Sequence, residues 1–163
     1  MEMIDPRRVV VLFGESLAAA ESCYSLIDAG FDVEVVCRRG VPSGLRRSRL
    51  LRCHDVEHPE SEHAACVADV QRIVTETEAI AILPLDDVSL WLLDRNRDLF
   101  DIPLAMASRE AVAVALDKRK QVEIAIDSGF DVPTTAMAAD VSALSAWSVF
   151  PCILKGALAA PAI

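Results

Sequence analysis

The chain has 163 residues and a formal net charge of −9 at pH 7, and 53% of its residues are hydrophobic. Its mean hydropathy is +0.33. That much apolar material excludes intrinsic disorder and suffices for one ordinary domain with a core. The acidic balance excludes sequence-independent attachment to nucleic acid or to an anionic membrane, because phosphate repels it.

The start, MEMIDPRR, has no apolar run, so no secretory signal is expected. RVVVLF (8–13), closed by Gly14, reads as a buried parallel strand. A helix should follow over ESLAAAESCYSLIDAG, capped by Ser16 and stopped at Gly30. Leu17, Ala20, Tyr24 and Ile27 form its expected inner face. FDVEVVC (31–37) is a second strand, which completes one right-handed βαβ unit.

Residues 38–58 form a polar connection rich in arginine (Arg38, Arg39, Arg46, Arg47, Arg49, Arg52), with a short strand expected near LLRC (50–53). A helix is expected from Pro59 to about Glu78, with Val67, Val70, Ile73 and Val74 inward. AIAILPL (79–85) reads as another buried strand, ended by Asp86 and Asp87. A helix through Val88–Leu93 and a strand over IPLAMA (102–107) should follow.

Beyond that the rhythm changes. Ser108 should cap a short helix, and Asp117 should cap a second that closes at Gly129. An extended piece through Pro133, a helix near 140–147 and a final strand ending at Lys155 complete the chain. IDAGFDV (27–33) and IDSGFDV (126–132) are nearly the same words, but their surroundings differ, so the echo reflects shared turn chemistry. The stretch 141–163 has Lys155 as its only charge, and Pro151, Lys155 and Pro161 break it below spanning length. The expected fold is therefore α/β. Residues 1–107 form a Rossmann-like open parallel sheet, and 108–163 form a partial, mainly helical extension.

Of five scattered cysteines, none spaced CxxC, most fall inside apolar segments and are expected to behave as small hydrophobes, which fits a reducing cytoplasm. The turn FGESLAAAES holds one glycine where a dinucleotide fingerprint needs three, and no GxxxxGK[ST] loop occurs. Binding of NAD is therefore not expected. A crevice at the C-terminal ends of the strands remains the default ligand site. Gly14, Glu15 and Ser16 should line it, with Arg38 after the second strand and Asp86 or Asp87 after the later one. Ser16 and the aspartates have an alternative reading as helix caps.

His54, His58 and His63, with Cys53 and Cys66, match no zinc spacing and read as solvated loop side chains, so no metal site is expected. No Ser-His-Asp or Cys-His arrangement can be read from the spacing. The arginine cluster could hold a carboxylate or a phosphate, or could simply balance an acidic surface.

Residues 116–155 carry a longer ordered pattern. Asp117-Lys118, a helix, Gly129, Val132-Pro133-Thr134, a helix and Phe150-Pro151-x-x-Leu154-Lys155 follow one another. This order resembles the opening of the nucleotide-binding part of ATP-grasp enzymes, which include carbamoyl phosphate synthetase, biotin carboxylase and D-alanine–D-alanine ligase. The preceding βαβ-rich segment is similar to the pre-ATP-grasp domain that family places first. The resemblance implies an ATP- and Mg-dependent, ADP-forming ligase that joins a small-molecule carboxylate to an amine-type acceptor through an acyl phosphate.

By the same resemblance, Lys155 and Lys118 would contact the nucleotide phosphates, and residues 108–163 would begin the ATP-grasp domain. A cation in a helix's first turn is badly placed for its dipole, which favours a functional reason for Lys118. The sequence departs from the family after Gly156, where ALAAPAI replaces a glycine-rich loop, and the family's magnesium ligands lie much further along. The chain is thus expected to be the N-terminal portion of a longer enzyme, with no catalytic residues of its own and inactive alone, and the reading leaves room for a homo-oligomer. The alternative is a stand-alone Rossmann-like binding or interaction module.

Overall fold

A computed structural model describes residues 7–159. The chain divides into two compact units, one reaching Val112 and the other beginning at Ala113.

The first unit is built on four parallel strands, β1 (Arg7–Leu12), β2 (Phe31–Arg38), β3 (Arg52–Val56) and β4 (Ala81–Pro84), in the order β3-β2-β1-β4. Helices α1 (Ala19–Asp28), α2 (His63–Thr77) and α3 (Asp87–Arg95) connect and follow them. The α/β reading with a Rossmann-like parallel sheet holds.

Strand alternation sorts the side chains onto two faces. Val9, Val11, Val33, Val35 and Cys37 pack with Ala19 and Cys23 of α1 and with Leu45 and Leu51 of the connection. Val10, Leu12, Val36 and Ile82 point the other way and are also fully buried. α2 lies along β3 and α3 along β4, with Val70, Ile73, Leu92 and Leu93 buried. Burying both faces explains why β1 and β2 read as continuous apolar runs. The buried Cys23, Cys37 and Cys66 behave as core hydrophobes. Burial pushes the thiols of Cys37 and Cys66 up to about 12 and that of Cys23 to about 11.

Several boundaries differ from expectation, each for a physical reason. α1 begins at Ala19, not beside Ser16. The residues between make turns, with the Ser16 amide donating to the Phe13 carbonyl at 3.0 Å and the Ala19 amide to the Ser16 carbonyl at 3.2 Å. The inner face of α1 is consequently Ala19 and Cys23, with Leu26 and Ile27 packed alongside, whereas Leu17 and Tyr24 are exposed.

α2 begins at His63, four residues after Pro59. The amides of Ser61 and Glu62 both donate to the His58 carbonyl and hold the chain in a turn. IPLAMA is no strand. Leu104 makes a single parallel bridge to Ile82, since Pro103 has no N–H to extend a ladder.

Helix α4 (Arg109–Ala115) crosses the division between the units, and the second unit holds α5 (Lys118–Asp127) and α6 (Val141–Ser145). Asp117 caps α5 as expected, accepting from the Arg119 amide at 2.9 Å, and Gly129 supplies the positive φ of 79° after it. The expected final strand does not form. Residues 152–156 have no regular structure, and only Leu158 bridges back, antiparallel, to Asp117. Pro151 withholds a donor there, and no neighbouring strand is present in this unit among the described residues. Among the described residues no helix is long and apolar enough to cross a membrane.

Gly14 is where the fold is tightest. A Cβ there would stand 2.3 Å from Val35 Cγ1 and 2.9 Å from Cys37 Sγ. Both are fully buried side chains on β2 with nowhere to retreat. Gly14→Ala should lower stability by about 1–3 kcal/mol, the usual cost of overpacking, whereas Gly44→Ala, which meets open space, should change it by less than about 0.5 kcal/mol. Urea unfolding of the two variants checks the contrast.

Candidate functional site

The strand order places β2 and β3 on one side of β1 and β4 on the other. The C-terminal ends of β1 and β4 therefore flank a topological switch point, where open α/β sheets leave a crevice. The loops that leave the strands here carry Gly14, Glu15 and Ser16 after β1, Glu60 after β3 and Asp86 after β4, with Arg38 closing β2.

Arg38 ties these loops together. Its Nε donates to Glu15 Oε1 at 2.6 Å, its Nη1 to Glu60 Oε1 at 2.9 Å, and its Nη2 lies 3.8 Å from Asp86 Oδ2. The Arg38 amide also donates to Glu15 Oε1 at 3.3 Å, and the guanidinium sits 4.9 Å above the Phe13 ring. Asp86 is at the same time the N-cap of α3. It accepts from the Ser89 amide at 2.7 Å, while Ser89 Oγ accepts from the Asp86 amide at 3.0 Å, a reciprocal capping box.

Of the residues predicted from sequence, Glu15, Arg38 and Asp86 are thus brought together. Arg38 is engaged by protein carboxylates and is no free cation. Glu60 was missed; a lone acid in a polar turn gives no sequence signal until its partner's position is known.

Beside this knot lies a cleft of about 330 Å³, walled by Gly14–Ser16, by Ala20 and Tyr24 of α1, and by Pro42–Leu45. Its floor is backbone. The Gly14 amide donates to the Val36 carbonyl at 2.8 Å, and the Gly14 carbonyl accepts from Ser43 Oγ at 2.6 Å. Ser16 is not a helix cap, and its Oγ is buried without a partner, as is Glu15 Oε2.

The remaining arginines mostly face acids of the same unit. Arg39 pairs with Glu57 at 2.8 Å, Arg46 with Asp55, and Arg52 approaches Glu34 at 3.5 Å. Glu34 is 1% exposed and is also held by His54 Nε2 at 2.7 Å and by Arg8 at 3.5 Å. Hence His54 is a strand residue paired to a buried acid. His63 opens α2, with its ring edge-on to Trp91. Only His58, on the Arg39 carbonyl at 2.8 Å, fits the loop reading. The signal for Glu34 was available: an acid between valines in an otherwise apolar strand must have partners.

In the second unit, the backbone of Lys118 donates to the Ala157 carbonyl at 2.8 Å, and Ala159 donates to Leu116. This cross-link lays the segment after Lys155 along the start of α5. Lys155 stands on an exposed irregular segment, not on a strand. Among the described residues neither lysine has a salt-bridge partner within 4.0 Å, while Asp117 pairs with Arg119 at 2.8 Å.

No family model matches the sequence, and no curated protein matches it. Among solved structures, the chain is similar to the biotin carboxylase–beta-gamma-ATP complex from Campylobacter jejuni, with a TM-score of 0.52 and 17% identity. The match covers 77% of this chain and 28% of that one, so the chain spans little more than a quarter of that structure's length. At this identity the likeness establishes a shared fold. The covered share exceeds what the first unit alone holds, so the match takes in residues of both units.

Two outcomes test this geometry. Arg38→Met should cost about 3 kcal/mol, the lower end for breaking a buried pair, because it strands Glu15. Adding Glu15→Gln to Arg38→Met should restore part of that loss, and a double-mutant cycle in urea measures the coupling.

The second concerns acid. The hydrogen bond and charge of Arg119 hold the Asp117 carboxyl down from its ordinary 3.8 to about 2. A lowered folded-state value stabilises the cap above the unfolded value, and that contribution is lost as pH falls through the folded one. Amide signals of Lys118–Asp127 should therefore lose helical character between about pH 4 and pH 2. Asp117→Asn should flatten that dependence.

Proposed function

We propose that this chain is the substrate-crevice portion, with the first pieces of the nucleotide site, of an ATP-dependent, ADP-forming ligase that joins a carboxylate to an amine-type acceptor. The observation that carries the reading is the fold likeness to biotin carboxylase in complex with an ATP analogue, extending over both units. The order Asp117-Lys118, helix, Gly129, Val132-Pro133-Thr134, Phe150-Pro151-x-x-Leu154-Lys155 supports it from the sequence.

In such a reaction a carboxylate oxygen attacks the γ-phosphorus, the bond to the β-phosphate oxygen breaks and ADP leaves. The acceptor nitrogen then attacks the acyl carbon, loses a proton and expels phosphate. This chain's share is positioning and charge. The switch-point crevice around Gly14, Glu15, Ser16, Arg38 and Asp86 orients a substrate, and the cations Lys118 and Lys155 face phosphate oxygens whose charge grows during transfer. The backbone cross-link between 116–118 and 157–159 supports assigning the two lysines to one site.

Magnesium fits less well. Among the described residues no three acidic, histidine or cysteine side chains are grouped to hold a metal ion, so its ligands would have to come from outside them. Apolar side chains such as Phe150 and Ile153, 73% and 84% exposed, support a second unit that packs against further polypeptide.

Amide-resolved NMR with MgATP tests the reading on this chain. Millimolar MgATP should shift signals at 116–118 and 153–158, and a Lys118→Ala/Lys155→Ala double variant should abolish the shifts. No shift at those residues would favour the non-catalytic binding module. NADH binding at Gly14–Ser16 with micromolar affinity would favour a dinucleotide enzyme and overturn the reading.

A further inference from the structure

We infer that the cleft beside Gly14–Ser16 receives the cationic, N–H-bearing partner of the reaction, an ammonium or amidinium group, and not the carboxylate. The inference rests on the proposal that this crevice is a substrate site, and it assigns the sign of the group bound there.

Three observations carry it. First, Glu15 is the one charged residue among those that wall the cleft. Arg38, bonded to Glu15, is turned to protein acids, three of which meet its single guanidinium. An anionic ligand would therefore face the Glu15 charge, and no residue that walls the cleft brings a cation to meet it.

Second, the Glu15 side chain is only 4% exposed, yet only one of its oxygens is used. Oε1 accepts from Arg38, while Oε2 is buried with no donor at all. A buried carboxylate oxygen without a donor is costly, and a ligand N–H supplies what it lacks. Third, the adjacent Ser16 Oγ is also buried and unpartnered. A hydroxyl can accept from a second N–H of the same group, so two unpartnered acceptors on consecutive residues of the cleft wall suit a ligand with several donors.

The rival arrangement, a carboxylate here, finds only hydroxyls among the polar side chains that wall the cleft besides Glu15. Ser43 Oγ already donates to the Gly14 carbonyl, and the Tyr24 hydroxyl lies 3.2 Å from Ser48 Oγ. Neither offers a charge. The acid would then bind elsewhere, and the cleft would hold the acceptor nitrogen until the acyl phosphate forms.

Titration of the 163-residue chain with ethylammonium chloride, guanidinium chloride and sodium acetate, each against sodium chloride at equal ionic strength, tests this by amide NMR. The cations should shift Gly14–Ser16 and Ser43–Leu45 at concentrations at least tenfold below acetate. Glu15→Gln should remove that preference. Should Glu15→Gln fail to fold, Ser16→Ala should weaken ethylammonium binding at least threefold. Preference for acetate at these amides would overturn the inference yet leave the crevice a substrate site. No shift beyond the sodium chloride control would overturn both the inference and the crevice assignment, while the MgATP result at the two lysines stands apart from either.

Discussion

A guanidinium has a rigid fork of donors, and in this protein one fork joins the end of one strand to the loops that follow the other three. Arg38 leaves the end of β2 and reaches Glu15 after β1, Glu60 after β3 and Asp86 after β4. A parallel sheet fixes where strands end but not where their loops go. The loops at the C-terminal edge are otherwise separate polar segments, each free to choose its own conformation. The planar cation makes their positions interdependent, and its placement over Phe13 anchors it to the apolar floor. Both α1 and α2 start late, after turns next to Glu15 and Glu60, the two acids that Arg38 holds by hydrogen bonds. One ion cluster thus links the loops along the C-terminal edge of the sheet, next to the cleft that Gly14–Ser16 share with the connection after β2.

How much of this could be read from the sequence depended on whether local chemistry was enough. The strands β1, β2 and β4 are legible because β-branched runs buried on both faces have few other fates. Asp117 as a cap and Gly129 as a stop are legible because capping is a property of a few neighbouring residues. Ser16 is no cap because its amide and carbonyl are taken up in turns with Phe13 and Ala19 before the helix begins. Once the helix start moved, the inner face moved with it, and Leu17 and Tyr24 went to solvent. IPLAMA and FPCILK have strand-like composition, but a strand also needs a partner and donors, and Pro103 and Pro151 each withhold one.

The candidate site was legible to a similar degree. Topology alone pointed to the strand ends, and with them to Gly14, Glu15, Arg38 and Asp86. The state of Arg38 could not be read, since the same residue in the same place serves a ligand or a fold according to which acids reach it. The parallel case is Glu34. Its burial beside His54 and Arg8 places a second charged cluster on the face opposite α1, around an acid that the sequence pattern did not single out. There three basic side chains surround one buried acid, whereas Glu15 shares its single arginine with two other acids and stands in the wall of a cleft.

The glycine that ends β1 has a further consequence. Its amide is held by β2 and its carbonyl by Ser43 of the arginine-rich connection, so the floor of the cleft and that connection form one hydrogen-bonded sheet margin. A side chain at this position would push them apart, and its absence lets them close to within bonding distance. The connection between β2 and β3 therefore acts as the cleft's outer wall with its foot fixed in the floor, and its remote end cannot swing outward without loosening the surface on which a ligand would rest.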